Sequence, residues 1–175
     1  MRQLILRFSP IIILIPIVAF RTQLEFYDIL LFCTIILNAI LSYQTRLISL
    51  CDKYYSLINY IIWLIFILTI VFIRSVPFDY VVFSILLIRF LILILNYYKF
   101  QNFYVPRTIL DNIWGISLVV YLSELVLNST HGTKGFFILL GEISTIEMLF
   151  ILLLLKEWNA KINSIFTILK RKLCR

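Results

Sequence analysis

The sequence predicts an all-α membrane protein: a polytopic transmembrane bundle of about six helices, followed by a C-terminal basic amphipathic helix. Hydrophobic residues make up 62% of the 175-residue chain, and charged residues only 14%. Soluble domains contain about 25% charged residues. A water-soluble core of this size cannot bury so much apolar surface, so lipid is the expected solvent. The apolar residues also fall into runs of membrane-spanning length, which completes the prediction.

Six apolar runs bounded by charged or polar residues account for most of the chain. Each is close to the roughly 17–25 residues that an α-helix needs to cross about 30 Å of hydrocarbon. They cover residues 4–20, 29–45, 57–73, 80–97, 110–128 and 136–155. Pro10 and Pro16 are expected to kink the first run. No small-residue cleavage site follows that run, so we predict a retained helix and not a signal peptide. The expected domains are a transmembrane domain, 1–155, and a tail, 156–175.

The distribution of Lys and Arg predicts the orientation. In a six-helix arrangement, three basic residues lie in the connections on one side: Arg21, Arg74 and Lys134. Twelve lie on the other side: Arg2, Arg7, Arg46, Lys53, Lys99, Arg107, Lys156, Lys161, Lys170, Arg171, Lys172 and Arg175. Basic residues concentrate on the cytoplasmic side of membrane proteins. We therefore expect both termini in the cytoplasm.

The last twenty residues form a basic amphipathic segment, with apolar residues at helical spacing on one face. Two interpretations stay open. The segment either lies on the anionic inner leaflet of the bilayer, where each Lys or Arg contributes about 1 kcal/mol, or docks a cytoplasmic protein partner. The residues expected to make either contact are Lys156, Trp158, Lys161, Phe166, Lys170, Arg171 and Lys172.

Four ionisable residues are predicted to lie at membrane depth: Arg89 in the fourth run, Glu124 in the fifth, and Glu142 and Glu147 in the sixth. Such residues cost several kcal/mol in lipid unless they are paired or hydrated. One interpretation is an Arg–Glu ion pair that fixes helix packing, with the remaining glutamates protonated or in contact with another subunit. The other is a proton or cation path between the fourth, fifth and sixth helices.

Several function classes find no support in the sequence. It contains no HExxH, no GxSxG and no phosphate-binding glycine loop. The single histidine, His131, falls in a short loop, and the spacing of the three cysteines fits no metal motif. We therefore expect no enzyme, no cofactor, no metal and no direct contact with nucleic acid. Gly and Ala are scarce and no GxxxG pair occurs, which favours a homo-oligomer or a complex subunit over a compact solitary bundle.

The length, the Ile/Phe/Tyr-rich helices and the basic tail Lys170–Arg175 resemble the membrane subunit of Kiwa-type bacterial anti-phage systems. Immunity proteins against pore-forming colicins show a similar character. The resemblance implies a bacterial inner-membrane subunit that senses a membrane event or anchors a cytoplasmic partner. Two alternatives stay open beside this non-enzymatic role. One is a small channel or a proton/cation-coupled transporter; the other is an enzyme acting on lipid or polysaccharide precursors, for which no polar catalytic cluster is found.

Overall fold

The computed structural model describes residues 2–21, 26–48, 53–75, 79–105, 108–127, 132–155 and 164, and of residues 2–6 and 45–48 only the backbone. Within these ranges every regular element is an α-helix. The six helices are α1 Arg2–Ala19, α2 Tyr27–Ile48, α3 Tyr55–Arg74, α4 Tyr80–Phe100, α5 Ile109–Val126 and α6 Lys134–Leu154. The prediction of an all-α bundle with six helices is confirmed.

Helices α2 to α6 are each long and apolar enough to cross a membrane. Helix α1 contributes a shorter apolar stretch, Arg7–Ala19. Pro10 and Pro16 both lie inside α1, which remains one helical element. Apart from residue 164, the predicted tail, 156–175, lies outside the described residues, and so does His131.

Contacts between helix ends define two sides of the bundle. On one side, Arg74 at the end of α3 pairs with Asp28 at the start of α2 and donates to the carbonyl of Val126 at the end of α5. Lys134 at the start of α6 pairs there with Asp79, which caps α4. We call this the far side. On the opposite side, the tail side, Lys99 of α4 donates to the carbonyl of Leu152 at the end of α6 at 2.7 Å.

Helix α5 lies at the centre of the bundle and packs against α2, α3 and α6. Its buried residues cover one broad face of the helix, whereas Ile109, Ile113, Ile116 and Val120 form an exposed stripe on the opposite face. The main apolar core occupies the far half of the bundle. Its fully buried side chains include Leu31, Phe66, Leu122 and Phe137.

The connection between α4 and α5 folds into the bundle on the tail side. Tyr104, Val105 and Thr108 are buried. The amide of Asn96 donates to the carbonyls of residues 102 and 104, at 2.6 and 3.1 Å, and Ser56 of α3 accepts from the backbone N–H of Val105 at 3.3 Å. Non-helical backbone is tolerated at membrane depth where protein satisfies its polar groups. The break predicted between the fourth and fifth apolar runs is therefore present, and the structure adds that this connection is buried.

Candidate functional site

Arg89 joins three helices within the bundle. From α4, its Nη1 donates to Oδ1 of Asp111 on α5 at 2.6 Å, and its Nη2 donates to Oγ of Ser144 on α6 at 2.8 Å. The guanidinium also lies 3.5 Å from the centroid of the Trp114 ring. Arg89 and Asp111 are each only 7% exposed. We call Arg89, Asp111, Trp114 and Ser144 the Arg89 cluster.

The local sequence around α5 explains why Asp111 reaches Arg89. The hydroxyl of Thr108 accepts from the backbone N–H of Asp111 at 3.1 Å and so caps the helix. A carboxylate in the first turn also interacts favourably with the helix dipole. Because the preceding connection folds inward, this first turn begins inside the bundle, beside the middle of α4. The cap therefore holds the carboxylate of Asp111 beside the guanidinium of Arg89, which needs a negatively charged partner.

The partner of Arg89 was missed by the sequence analysis, which did not count Asp111 among the intramembrane charges. An ion pair that fixes helix packing is present, and its carboxylate comes from Asp111. The available signal was weak, because Asp111 lies at the edge of an apolar run, where a charge would normally face the membrane surface.

A second polar cluster joins α1, α2 and α3. Arg7 donates from Nη1 to Oδ1 of Asn38 at 2.7 Å and from Nη2 to Oδ1 of Asn59. Ser42 donates to the same oxygen of Asn59 at 2.7 Å, and the hydroxyl of Tyr55 donates to the carbonyl of Ser42 at 2.6 Å. Arg7 is 3% exposed. We call these five residues the Arg7 cluster.

The burial of Arg7 corrects its assignment in the sequence analysis, where it counted only among the basic residues of the cytoplasmic side. Asn38 and Asn59 were not singled out there at all. A signal for both was present, because an amide inside an apolar run must find hydrogen-bond partners once it is buried. What the sequence lacked was any indication that the two amides and Arg7 meet.

A cavity of about 350 Å³ lies between the two clusters. Helices α2 to α5 supply most of its wall, and Met148 adds a contact from α6. Asn59 of the Arg7 cluster and Arg89, Asp111 and Trp114 of the Arg89 cluster all line it. The cavity and both clusters lie towards the tail side of the apolar core. This is the candidate functional site.

No protein-family model, curated protein or solved structure matches this chain. Its function is therefore inferred from its own residues. Among the described residues, no group of three or more His, Cys, Asp or Glu is placed to hold a metal ion.

The structure does not bring Glu124 to the Arg89 cluster. Thirteen residues of α5 separate Glu124 from Asp111, which is about 20 Å of helix. At the far side, the Glu124 carboxylate accepts from the backbone N–H groups of Gly132 and Thr133 at 2.7 and 3.0 Å, and from the hydroxyl of Thr133. These groups precede α6, so Glu124 joins the end of one helix to the N-terminus of the next.

The two glutamates of α6 point in different directions. Glu142 is exposed, whereas Ser144, two residues later and about 200° around the helix, is fully buried. Glu147 is half-buried and follows Ser144 by one turn on the same side of α6. The four predicted intramembrane charges thus occupy separate places: Arg89 within the site, Glu147 beside it, Glu124 at the far side and Glu142 on the outer surface.

The predicted docking residues of the tail, Lys156 to Lys172, lie outside the described residues. The last described helical residue, Leu154, ends α6 on the tail side. Contact of the tail with lipid or with a partner therefore stays a prediction.

Proposed function

We propose that this chain is a non-enzymatic subunit of the bacterial inner membrane. In this proposal both termini are cytoplasmic, the exposed face of α6 assembles with further copies of the chain, and the basic tail anchors a cytoplasmic partner.

The observation that carries the proposal is the place of Glu142. It follows Lys134 by eight residues, about 12 Å along α6, and therefore lies at a depth where lipid chains would surround it. Its exposed neighbours on α6 are Leu139, Ile143, Ile146 and Phe150. A carboxyl group in hydrocarbon is costly unless protein or water covers it. A neighbouring helix would supply both cover and a hydrogen-bond partner.

The remaining polar groups support a structural subunit over an ion path. Arg89 is tied to Asp111 and Ser144, and Glu124 accepts three hydrogen bonds at the N-terminus of α6. A path needs carboxylates along one water-filled line, whereas Glu124 lies at one end of the bundle and Glu142 on its outer surface. These contacts hold helices together.

We extend the proposal to phage defence because of the resemblance in length, helix composition and basic tail. In this setting the membrane bundle detects a change in the bilayer and the tail holds a soluble effector. Loss of the chain from its native host is expected to raise the plating efficiency of at least one phage. Unchanged plating across a diverse panel would remove this extension and leave the membrane subunit.

The assembly is tested by the mass of the purified protein in mild detergent, measured by light scattering. We expect the parent chain and Glu142→Gln, which keeps hydrogen-bonding groups, to be oligomeric. We expect Glu142→Leu to be monomeric. Ser84→Leu is the matched control, because Ser84 is an exposed polar residue on α4. A monomeric parent chain, or an oligomer unaffected by Glu142→Leu, would contradict the role given to α6.

The anchoring role is tested by affinity purification from the native host with the full chain and with a chain truncated after Leu155. A stoichiometric soluble protein that is lost on truncation is the expected result. If no soluble partner appears and reconstituted vesicles show cation flux that Glu147→Gln abolishes, the channel or transporter interpretation replaces this proposal.

A further inference from the structure

The cavity beside the two clusters is elongated. Along α3 its wall runs from Ser56 to Ile67, eleven residues or about 16 Å of helix. A sphere of 350 Å³ would be only about 9 Å across. The volume lies at the lower end of the range for small-molecule sites, about 300–1,000 Å³. Well-packed protein interiors contain few voids larger than a water molecule. We therefore expect a bound molecule to fill a space of this size and shape.

Polarity changes along the cavity. Its tail-side wall on α3 carries Ser56 and Asn59, and the first turn of α5 adds Asn112. Towards the membrane centre, apolar side chains such as Ile67 and Leu118 take over. This order, polar towards the membrane surface and apolar towards its centre, matches an amphiphile that lies with its head on the tail side.

The charges in the wall are balanced. Arg89 and Asp111 both line the cavity and are paired with each other at 2.6 Å. A ligand with a net charge would therefore meet an already neutralised pair. A head with hydrogen-bonding groups and no net charge fits the site better.

The wall also shows where a ligand could gain access. Tyr43 and Ile116 line the cavity and are 64% and 65% exposed. Tyr43 belongs to the tail-side part of α2, and Ile116 to the tail-side half of α5. Both side chains are exposed on helices long and apolar enough to cross a membrane, so the proposed route for a lipid chain runs between these helices and does not cross water.

We propose that this cavity binds one alkyl chain of an amphiphile whose hydrogen-bonding head carries no net charge. The chain lies between α3 and α5, and the head lies at the tail-side opening. Two sources supply this chemistry: a single-chain amphiphile such as a lysolipid, or one chain of a zwitterionic phospholipid.

The test uses Trp114, which lines the cavity and is buried. Trp63→Phe and Trp158→Phe leave it as the only tryptophan of the chain. In vesicles of unlabelled phosphatidylglycerol, whose head carries a net charge, we expect a bromine-labelled lysophosphatidylcholine to quench Trp114 fluorescence with saturation at a few mole per cent. The second arm uses the equivalent labelled two-chain phosphatidylcholine. Saturable quenching by both indicates a phospholipid chain; quenching by the lysolipid alone indicates a single-chain amphiphile.

Two glycines provide matched variants. A Cβ atom added at Gly115 or at Gly135 meets no atom within 4 Å, and only Gly115 lines the cavity. Gly115→Leu fills the chain site and should weaken saturable quenching about tenfold or more, because the ligand loses contacts of two or more methylene groups. Gly135→Leu should leave quenching unchanged. Ala39→Leu, from the opposite wall, provides a second blocking variant should Gly115→Leu not fold.

If neither probe gives saturable quenching in the parent chain, the proposal is overturned and the cavity is filled with water. Equal quenching in the Gly115→Leu and Gly135→Leu variants would overturn it as well, since the probe would then reach Trp114 by another route. Neither result depends on oligomer formation or on a soluble partner, so this site and the proposed function can fail separately.

Discussion

Arg89 and Arg7 place cationic side chains inside the bundle, where an isolated charge costs several kcal/mol. The two residues are accommodated differently. Arg89 has a carboxylate, a hydroxyl and the face of Trp114, which adds a cation–π contact. Arg7 donates to the amide oxygens of Asn38 and Asn59. Each arginine binds two further helices, so each cluster connects three helices of the bundle.

Breaking the Arg89 pair on one side is expected to destabilise the bundle strongly. Arg89→Leu or Asp111→Leu leaves a buried charge, which costs about 3–5 kcal/mol. The double variant removes both charges and should recover much of that loss. The measurement is the midpoint of thermal unfolding in detergent, with the exposed Glu142→Gln as control. Additive losses in the double variant would show that the two side chains do not act as a pair.

Glu124 is expected to contribute to stability through the α5–α6 connection. Glu124→Gln keeps one acceptor oxygen but loses the charge, and should reduce the free energy of unfolding by about 1–3 kcal/mol. Thr133→Ala removes only the hydroxyl bond and should cost less. Denaturant titration of both variants and of the double variant measures the coupling. Unchanged stability of Glu124→Gln, together with lost cation flux in vesicles, would instead favour the ion path.

At the scale of the helix, the contact of α6 with α4 and α5 depends on one glycine. A Cβ atom added at Gly141 would lie 2.9 Å from Nε1 of Trp114 and 3.1 Å from Cγ2 of Ile85. The Trp114 ring cannot move aside easily, because it is packed between Arg89 and Phe137. Close approach of membrane helices commonly needs a small residue at such a point.

Gly141→Ala and Gly115→Ala are therefore expected to have opposite effects. Gly141→Ala should lower the unfolding midpoint, since overpacking costs about 1–3 kcal/mol. Gly115→Ala enters open space and should raise it slightly, because Ala favours a helix over Gly by up to about 1 kcal/mol. Thermal unfolding of the two variants side by side tests this. A similar response in both would mean that α6 shifts to make room for the added methyl.

The start of α4 is tied to the start of α6 through Asp79. Its carboxylate accepts from the backbone N–H of Val81 at 3.0 Å and pairs with Lys134. The hydrogen bond from Lys134 is the main cause that lowers the pKa of Asp79, against the opposing effect of burial. In the folded protein, Asp79 thus stays ionised at a pH at which the same carboxylate in the unfolded chain begins to bind a proton.

This pKa shift predicts a pH-dependent stability. Because the folded pKa lies below the unfolded value of about 3.9, the contribution is present above about pH 4 and is lost as the pH falls through the folded pKa. Asp79→Asn keeps a good helix cap but loses the ion pair. Its unfolding midpoint should lie below that of the parent at neutral pH, and the gap should close on acidification. A gap that stays constant down to about pH 3 would assign the effect to the cap alone.

At the scale of the whole molecule, the two halves of the bundle differ. The far half is held by the main apolar core and closed by three sets of polar contacts between helix ends. The tail half contains both arginine clusters, the folded-in connection and the cavity. The proposed ligand site therefore lies in the tail half of the bundle.

The distribution of basic residues predicts how the bundle is oriented in the membrane, with the tail side facing the cytoplasm. Ser75 and Gln101 give a matched test. Both are exposed, end a helix and adopt a left-handed backbone conformation, on opposite sides of the bundle. In a chain with Cys33, Cys51 and Cys174 replaced by Ser, Ser75→Cys should react with a membrane-impermeant maleimide added outside inner-membrane spheroplasts. Gln101→Cys should react only after permeabilisation; the reverse pattern would invert the topology.

The sequence by itself determined the class of protein and the position of the helices. Composition alone makes lipid the solvent, and the apolar runs agree with the six observed helices to within a few residues at most ends. Both features are local, since a run of apolar residues partitions into a membrane and forms a helix whatever its neighbours are.

Only the tertiary structure decided which polar groups meet. Arg89 lies 22 residues from Asp111 and 55 from Ser144, and Arg7 lies 52 residues from Asn59. The inward fold of the α4–α5 connection brings Asp111 to its partner, and the packing of α2 to α5 leaves the cavity between them. Periodicity and composition cannot predict such contacts. The interaction energy of two polar side chains from distant segments becomes large only when folding brings both into the same low-dielectric interior.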